Sequence, residues 1–146
     1  MRVTTKHVLY TVLDWGLGHA TRSVPIIQGL IERGALVSLA GEGYSLELLK
    51  RQFPNLNTYP LQGIRVQTKS HEPDLLWLSK LAVQLPLQIR REHNQFIRLC
   101  NELQPDVIVS DNRYGAWHPQ IHSVLICHQL QLPPVSYTHL TLPTKA

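Results

Sequence analysis

A chain of 146 residues with 43% hydrophobic and 16% charged side chains is long enough for one domain with its own core, and too apolar to be a disordered segment. Its formal net charge of +4, with eight histidines besides, suits phosphate-bearing ligands or an anionic membrane surface, and no nucleic-acid partner is expected. Cys100 and Cys127 show neither CxxC spacing nor a metal-type cluster, which fits free thiols in a cytosolic protein.

The opening MRVTTKHVLY lacks a long apolar core followed by small residues, so no signal peptide is expected. The apolar, β-branched run His7–Leu13 predicts the first strand. It ends in Asp14-Trp15, and Gly16-Leu17-Gly18-His19-Ala20-Thr21-Arg22-Ser23 follows. Val24, Ile26, Ile27, Leu30 and Ile31 then repeat at helical spacing until Gly34. Ser23 as N-cap would put Pro25 in the first turn, where a missing N–H is tolerated. Residues 16–22 are therefore expected to form a loop long enough to wrap a ligand. Ala35–Ala40 reads as a second buried strand, closed by Gly41-Glu42-Gly43, and Ser45 opens a short helix to about Phe53. Thr58–Leu61 is a weak third strand, leading into a polar loop (Gln62 to Asp74) with Gly63, Arg65, Lys69 and His71.

From Asp74 onward Leu75, Leu78, Ala82, Leu85 and Ile89 share a helical face, and Pro86 either divides this stretch into two helices or kinks one. Its second piece, Leu87–Leu103, carries Arg90, Arg91, Glu92, His93 and Arg98 on the polar side. Leu75, Leu76, Trp77, Leu78, Leu81 and Leu85 are read mainly as core, with peripheral membrane contact near Lys69, Lys80 and Arg90 as the weaker alternative. Asp106–Ser110 and Ser123–Cys127 are buried strands, ending at Asp111-Asn112-Arg113-Tyr114-Gly115 and at His128-Gln129. Between Tyr114 and Thr144 there is no Asp, Glu, Lys or Arg, yet the histidines, glutamines and prolines there argue against a membrane span.

Strands alternating with helices predict an α/β fold: a Rossmann-like open parallel sheet flanked by helices, with His7–Leu13, Ala35–Ala40, Asp106–Ser110 and Ser123–Cys127 as its central strands. Ligands of such sheets sit beyond the carboxyl ends of the strands, near helix N-termini. Gly16 and Gly18 serve either a plain tight turn or close backbone approach to a phosphate or sugar. His19 follows them at the mouth of the sheet, as a helix-capping or loop residue or as a candidate proton acceptor. Asp14 and Asp111 both stand at strand ends.

The stretch GLGHATRSVPIIQGLIERG resembles the glycine-rich loop and first helix of the amino-terminal domain of GT-B glycosyltransferases, and is most similar to the family 28 type that includes the lipid II N-acetylglucosaminyltransferase. DVIVSDNRYGAWHPQIHSVLICHQL is similar to bacterial members of the same group, so the resemblance spans most of residues 7–130. The loop here holds fewer glycines than that of the lipid II enzyme, so the acceptor does not carry over. The resemblance implies the amino-terminal half of a GT-B fold, in which residues 1–133 bind the acceptor and a carboxyl-terminal domain, missing from this chain, binds the nucleotide-sugar donor. It implies a hexosyl transfer at the cell envelope to a glycan or lipid-linked acceptor, cytoplasmic or at the inner membrane face, with no cofactor and no metal. His19 is then the base that takes the acceptor proton in an inverting reaction, and Asp111 the carboxylate behind it, with Asp14 as competitor. Gly16, Gly18, Thr21, Arg22, Asn112, Arg113, Tyr114, His128 and Gln129 become acceptor contacts.

Two other classes compete. A dinucleotide-binding oxidoreductase is favoured by Glu42 at the end of the second strand, but Thr21 replaces the third glycine of its fingerprint. A non-catalytic sugar- or nucleotide-binding module is the other. The last stretch, VSYTHLTLPT at Val135–Thr144, is similar to the translation of a transposase-type sequencing adapter. Residues 134–146 are therefore expected to be a non-native tail without settled structure, on a longer protein cut short.

Overall fold

The computed structural model of the protein describes residues 5–65 and 74–127. Among them run β1 (His7–Val12), α1 (Leu17–Glu32), β2 (Leu36–Gly41), α2 (Gly43–Gln52), β3 (Asn57–Pro60), α3 (Asp74–Leu103), β4 (Val107–Asp111) and β5 (His122–Ile126). The strands form one sheet in the order β3-β2-β1-β4-β5, and each neighbouring pair is parallel. The expected α/β class and parallel sheet are thus present.

β1 is central because both of its faces are apolar and both are covered. Val8, Tyr10 and Val12 pack with Val37 and Leu39 of β2 against Ala20 and Ile27 of α1 and Leu49 of α2. Leu9, one residue out of phase, packs with Ala40 and Ile108 against Phe96 and Cys100 of α3 on the opposite side. The period of two along each strand therefore sorts α1 and α2 to one face and α3 to the other. Each fully buried Leu or Ile in these layers contributes ~1.5–3 kcal/mol of apolar burial.

Three expectations are corrected. First, β5 is an edge strand, not a central one: it pairs only with β4 among the described residues, and four of its five residues are exposed. The run SVLIC has the composition of a strand covered on both faces, but Val124 and Leu125 remain open here. Second, residues 16–22 are not a loop, because α1 begins at Leu17. Gly16, at φ 107°, makes the whole turn into the helix in a conformation that favours glycine. Third, Ser23 does not cap the helix. Its buried hydroxyl donates back to the His19 carbonyl at 2.8 Å, so Pro25 lies well inside α1, exposed, where it removes a ladder bond.

α3 is one helix of 30 residues with Pro86 within it. The side chains of Leu75, Leu76, Trp77, Leu78 and Leu81 lie outside the described residues, as does the segment 66–73 with Lys69 and His71. Leu85 is half-buried, while Val83 and Leu87 are exposed. The tail from 128 onward, including the adapter-like stretch, also lies outside the described residues.

Candidate active site at the carboxyl edge of the sheet

Register brings the strand ends level: Val12 stands beside Asp111, Asp111 beside Ile126, and Gly41 beside Pro60. Whatever follows each strand is therefore gathered on one edge. His19 lies in the first turn of α1, which starts above the end of β1. Asp111 is the last residue of β4, the neighbour of β1.

The two side chains meet. His19 Nδ1 is 3.5 Å from Asp111 Oδ2, with 12% of the histidine side chain and 3% of the aspartate side chain exposed. Arg22 lies three residues along the same helix face, its Nη2 3.0 Å from His19 Nδ1 and 3.7 Å from Asp111 Oδ1. The Ser23 hydroxyl is 3.3 Å from Asp111 Oδ2, and it accepts from Tyr10 Oη at 3.0 Å. Burial pushes the Tyr10 phenol up to about 12, with the hydrogen bond to Ser23 opposing the rise and the Asp111 charge adding to it. α1 has no acidic residue in its first turn and no side-chain cap at Gly16. Asp111 supplies the negative charge for that end of the helix from a different strand. Its Oδ1 is buried and has no hydrogen-bond partner among the described residues.

Asp14 is engaged elsewhere. Its carboxylate accepts from the Ser45 N–H at 3.0 Å and so closes the N-terminal end of α2. A Cβ on Gly43 would overlap that carboxylate, and Gly43 sits at φ 61°.

The expected acceptor contacts divide. Gly16 is the turn itself, Gly18 lies inside α1 with open space around it, and Thr21 is exposed on the helix. Asn112 follows β4 at φ 53°, buried, with its N–H donated to Ile126 O at 3.0 Å. Tyr114 is half-exposed, its hydroxyl 3.9 Å from Cys127 Sγ. His128 and Gln129 lie outside the described residues.

Arg113 is a correction. It is 1% exposed, and its guanidinium donates to Glu92 Oε1 at 2.6 Å, Val12 O at 3.1 Å and Leu61 O at 3.0 Å. Glu92, also buried, accepts the Gly115 N–H at 3.0 Å with its other oxygen. A charge paired and hydrogen-bonded this fully belongs to the scaffold under the edge, not to its ligand-facing surface.

Two features of the edge escaped the sequence reading. Trp15 is 56% exposed, while its indole N–H donates to Ile64 O at 2.8 Å and so ties the turn after β1 to the segment after β3. Glu42 accepts the Gly63 N–H at 2.7 Å and the Arg65 guanidinium at 3.0 Å. Between them opens a hollow of about 340 Å³, and a polar groove of about 550 Å³ adjoins it along Gln62, Gln84, Gln88, Arg91 and Gln95. The available signal was position: Trp15 and Glu42 each stand just past a strand end. Among the described residues no three His, Cys, Asp or Glu side chains converge to hold a metal ion, and no helix is long and apolar enough to cross a membrane.

A five-stranded parallel sheet flanked by helices, with a histidine and a carboxylate joined at its carboxyl edge, is a Rossmann-like α/β domain. The chain belongs to a sugar-transferring family of that class: the model described as glycosyl transferase family 1 matches residues 6–139. Membership sets aside the dinucleotide oxidoreductase. Among solved structures the fold is similar to that of SnogD, a glycosyltransferase from Streptomyces nogalater, with a TM-score of 0.54 at 19% identity over 84% of this chain and 35% of that one. It is also similar to the glycotransferase of kitacinnamycin, with a TM-score of 0.52 at 19% identity over 83% of this chain and 30% of that one. The chain therefore spans about a third of the length of these structures. No curated protein sequence matches it.

Proposed function

We propose that the chain is the amino-terminal, acceptor-binding part of a glycosyltransferase that moves a sugar from a nucleotide-sugar donor to an acceptor hydroxyl. His19 Nε2 takes the hydroxyl proton while the acceptor oxygen attacks the anomeric carbon. The bond from that carbon to the donor phosphate breaks on the opposite side, giving inversion, and the nucleoside diphosphate leaves. Asp111, on the Nδ1 side, stabilises the imidazolium so formed. The observation that carries this reading is the meeting of His19 and Asp111, 3.5 Å apart from separate elements, at the edge where ligands of such sheets bind.

Residues 1–133 form the acceptor domain in this reading, and a second domain supplies the donor. Gly16, Thr21, Arg22, Asn112 and Tyr114, together with Trp15, face a glycan or a lipid-linked acceptor. No cofactor is called for, because the donor carries its own leaving group. The setting that fits is the cytoplasm or the inner membrane face.

The experiment is an assay of acceptor-dependent nucleoside diphosphate release with a panel of nucleotide sugars. The two-domain protein should turn over, and residues 1–133 alone should not, since holding donor and acceptor together is worth ~7–11 kcal/mol in favourable cases. Robust transfer by residues 1–133 alone would overturn the two-domain reading. A two-domain protein that consumes no nucleotide sugar would overturn transfer itself.

A further inference from the structure

Trp15 is tethered at one end and open over the rest of its ring. Its indole N–H donates to Ile64 O at 2.8 Å, yet over half of the residue remains in water beside the hollow of about 340 Å³. A restrained aromatic ring offers an apolar face at little entropic cost to a ligand that covers it. The groove of about 550 Å³ continues from this hollow across Gly63 and Arg65, which line both. Its far wall is a single stripe of α3. Gln84, Gln88, Arg91 and Gln95 share one helix face over about 16 Å. Gln88 serves the fold: its amide accepts the Arg65 N–H at 2.7 Å and donates to Arg65 O at 3.2 Å. The side chains of Gln62, Gln84, Gln95 and Arg91 make no hydrogen bond or ion pair among the described residues.

The lining selects the chemistry of the occupant. A glutamine amide carries two donors and an acceptor oxygen, which match hydroxyls that donate and accept in turn, and Arg91 adds further donors. Leu87 is the one apolar side chain lining the groove among the described residues, so a lipid chain or a flat apolar molecule would bury little against it. In the hollow, the carboxylate of Glu42 already holds the Arg65 guanidinium at 3.0 Å, which disfavours an anion there. We propose that the hollow and the groove form a glycan subsite. An oligosaccharide stacks the C–H face of one ring on Trp15 and lays the hydroxyls of its other rings against Gln62, Gln84, Gln95 and Arg91. A sugar suits both parts, since its axial C–H bonds meet the negative face of the indole while its hydroxyls meet the amides. Trp15 belongs to the turn between β1 and α1, which also delivers His19 to the edge. The end of the glycan that receives the new sugar lies at that turn, and its remaining rings follow α3. The inference rests on the transfer reading, which makes this edge the acceptor side. It names the acceptor as an existing glycan that the enzyme lengthens.

The test is isothermal titration calorimetry of the whole chain, with no nucleotide sugar present, against cellotriose, maltotriose and chitotriose. Glucose serves as the single-ring control and umbelliferone as the flat apolar one. At least one trisaccharide should bind, more tightly than glucose or umbelliferone. Gln84→Ala and Gln95→Ala, which break no hydrogen bond of the fold, should each weaken that binding by ~3–10-fold. Binding should also change the indole fluorescence of the wild type, and the change should vanish in Trp15→Phe although two tryptophans remain. The two glutamine variants decide the matter if Trp15→Phe does not fold. No saturable binding of any trisaccharide, equal affinity for glucose, tighter binding of umbelliferone, or an affinity unchanged in both glutamine variants would overturn the proposal. Glycan binding by a two-domain protein that transfers no sugar would leave the subsite standing and sink the transfer reading. Transfer by a protein whose chain ignores all three trisaccharides would do the reverse.

Discussion

The Arg113 guanidinium binds β1 through Val12 O, the segment after β3 through Leu61 O and α3 through Glu92, so one side chain clamps three parts of the chain beneath the carboxyl edge of the sheet. Removing one member of a buried, hydrogen-bonded ion pair leaves the other charge uncompensated, at a cost of ~3–5 kcal/mol. Arg113→Met is expected to lower the unfolding free energy by about that much in urea titrations. A loss within ~0.5 kcal/mol, ordinary for a surface substitution, would show a side chain free to meet ligand. The position of Arg113 just past a strand end was visible in the sequence. Its burial was not, because it depends on Glu92, which reads as one more charge on the polar side of a long helix. Two other buried groups make stability depend on alkaline pH. Burial raises Cys100 from 9.0 to about 11 and Tyr10 from 10.0 to about 12. Between those values the unfolded chain has lost protons that the folded chain keeps, so stability falls as pH rises. The contribution is intact below pH 9 and is lost from there toward pH 12. Tyr10→Phe should flatten the upper part of that decline in thermal melts, between pH 10 and 12; an unchanged slope would contradict the Tyr10 assignment.

α2 is positioned by a contact across elements. Asp14, after β1, accepts the Ser45 N–H, and the absence of a side chain at Gly43 makes room for the carboxylate. Gly34, after α1, is also at positive φ but has nothing within 4 Å of a built Cβ, so it serves as the control. Gly34→Ala should cost only the left-handed backbone penalty, ~1–2 kcal/mol. Gly43→Ala should cost at least ~1 kcal/mol more, since it also displaces the cap. The excess should shrink in an Asp14→Ala background, measured as a double-mutant cycle by urea denaturation; full additivity would contradict the contact. The same turn region shows where sequence reasoning ran out. Strands and helical periods were legible in β1, β2 and α3, because apolar spacing reports burial directly. The start of α1 was misplaced because Pro25 and Ser23 both mimic a helix N-terminus, while the true turn rests on one glycine. That error also hid the pairing of His19 with Arg22. In a loop the two are unrelated, whereas on a helix from Leu17 they share a face.

The parallel order β3-β2-β1-β4-β5 levels the strand ends, and so gathers His19, Asp111, Trp15 and Glu42 from distant parts of the chain onto one edge. The class of the fold was legible because strand-end positions, that of Asp111 among them, follow from the apolar runs, whereas the pairing of His19 with Asp111 was expected from the resemblance to GT-B glycosyltransferases. The exposed face of β5 and the hollow beside Trp15 were not, because both depend on how elements distant in sequence pack. Within the two-domain protein that the proposed function requires, this edge forms one wall of a cleft, and the chemistry turns on a single proton acceptor. The direct measurement is steady-state turnover of a nucleotide sugar by that protein and by its His19→Ala variant, with donor affinity measured alongside. The account predicts a kcat lower by ~10²–10⁴-fold, the usual share of general base catalysis, with donor affinity little changed, because the donor is held by the other domain. A His19→Ala protein that turns over at close to the wild-type rate would contradict it.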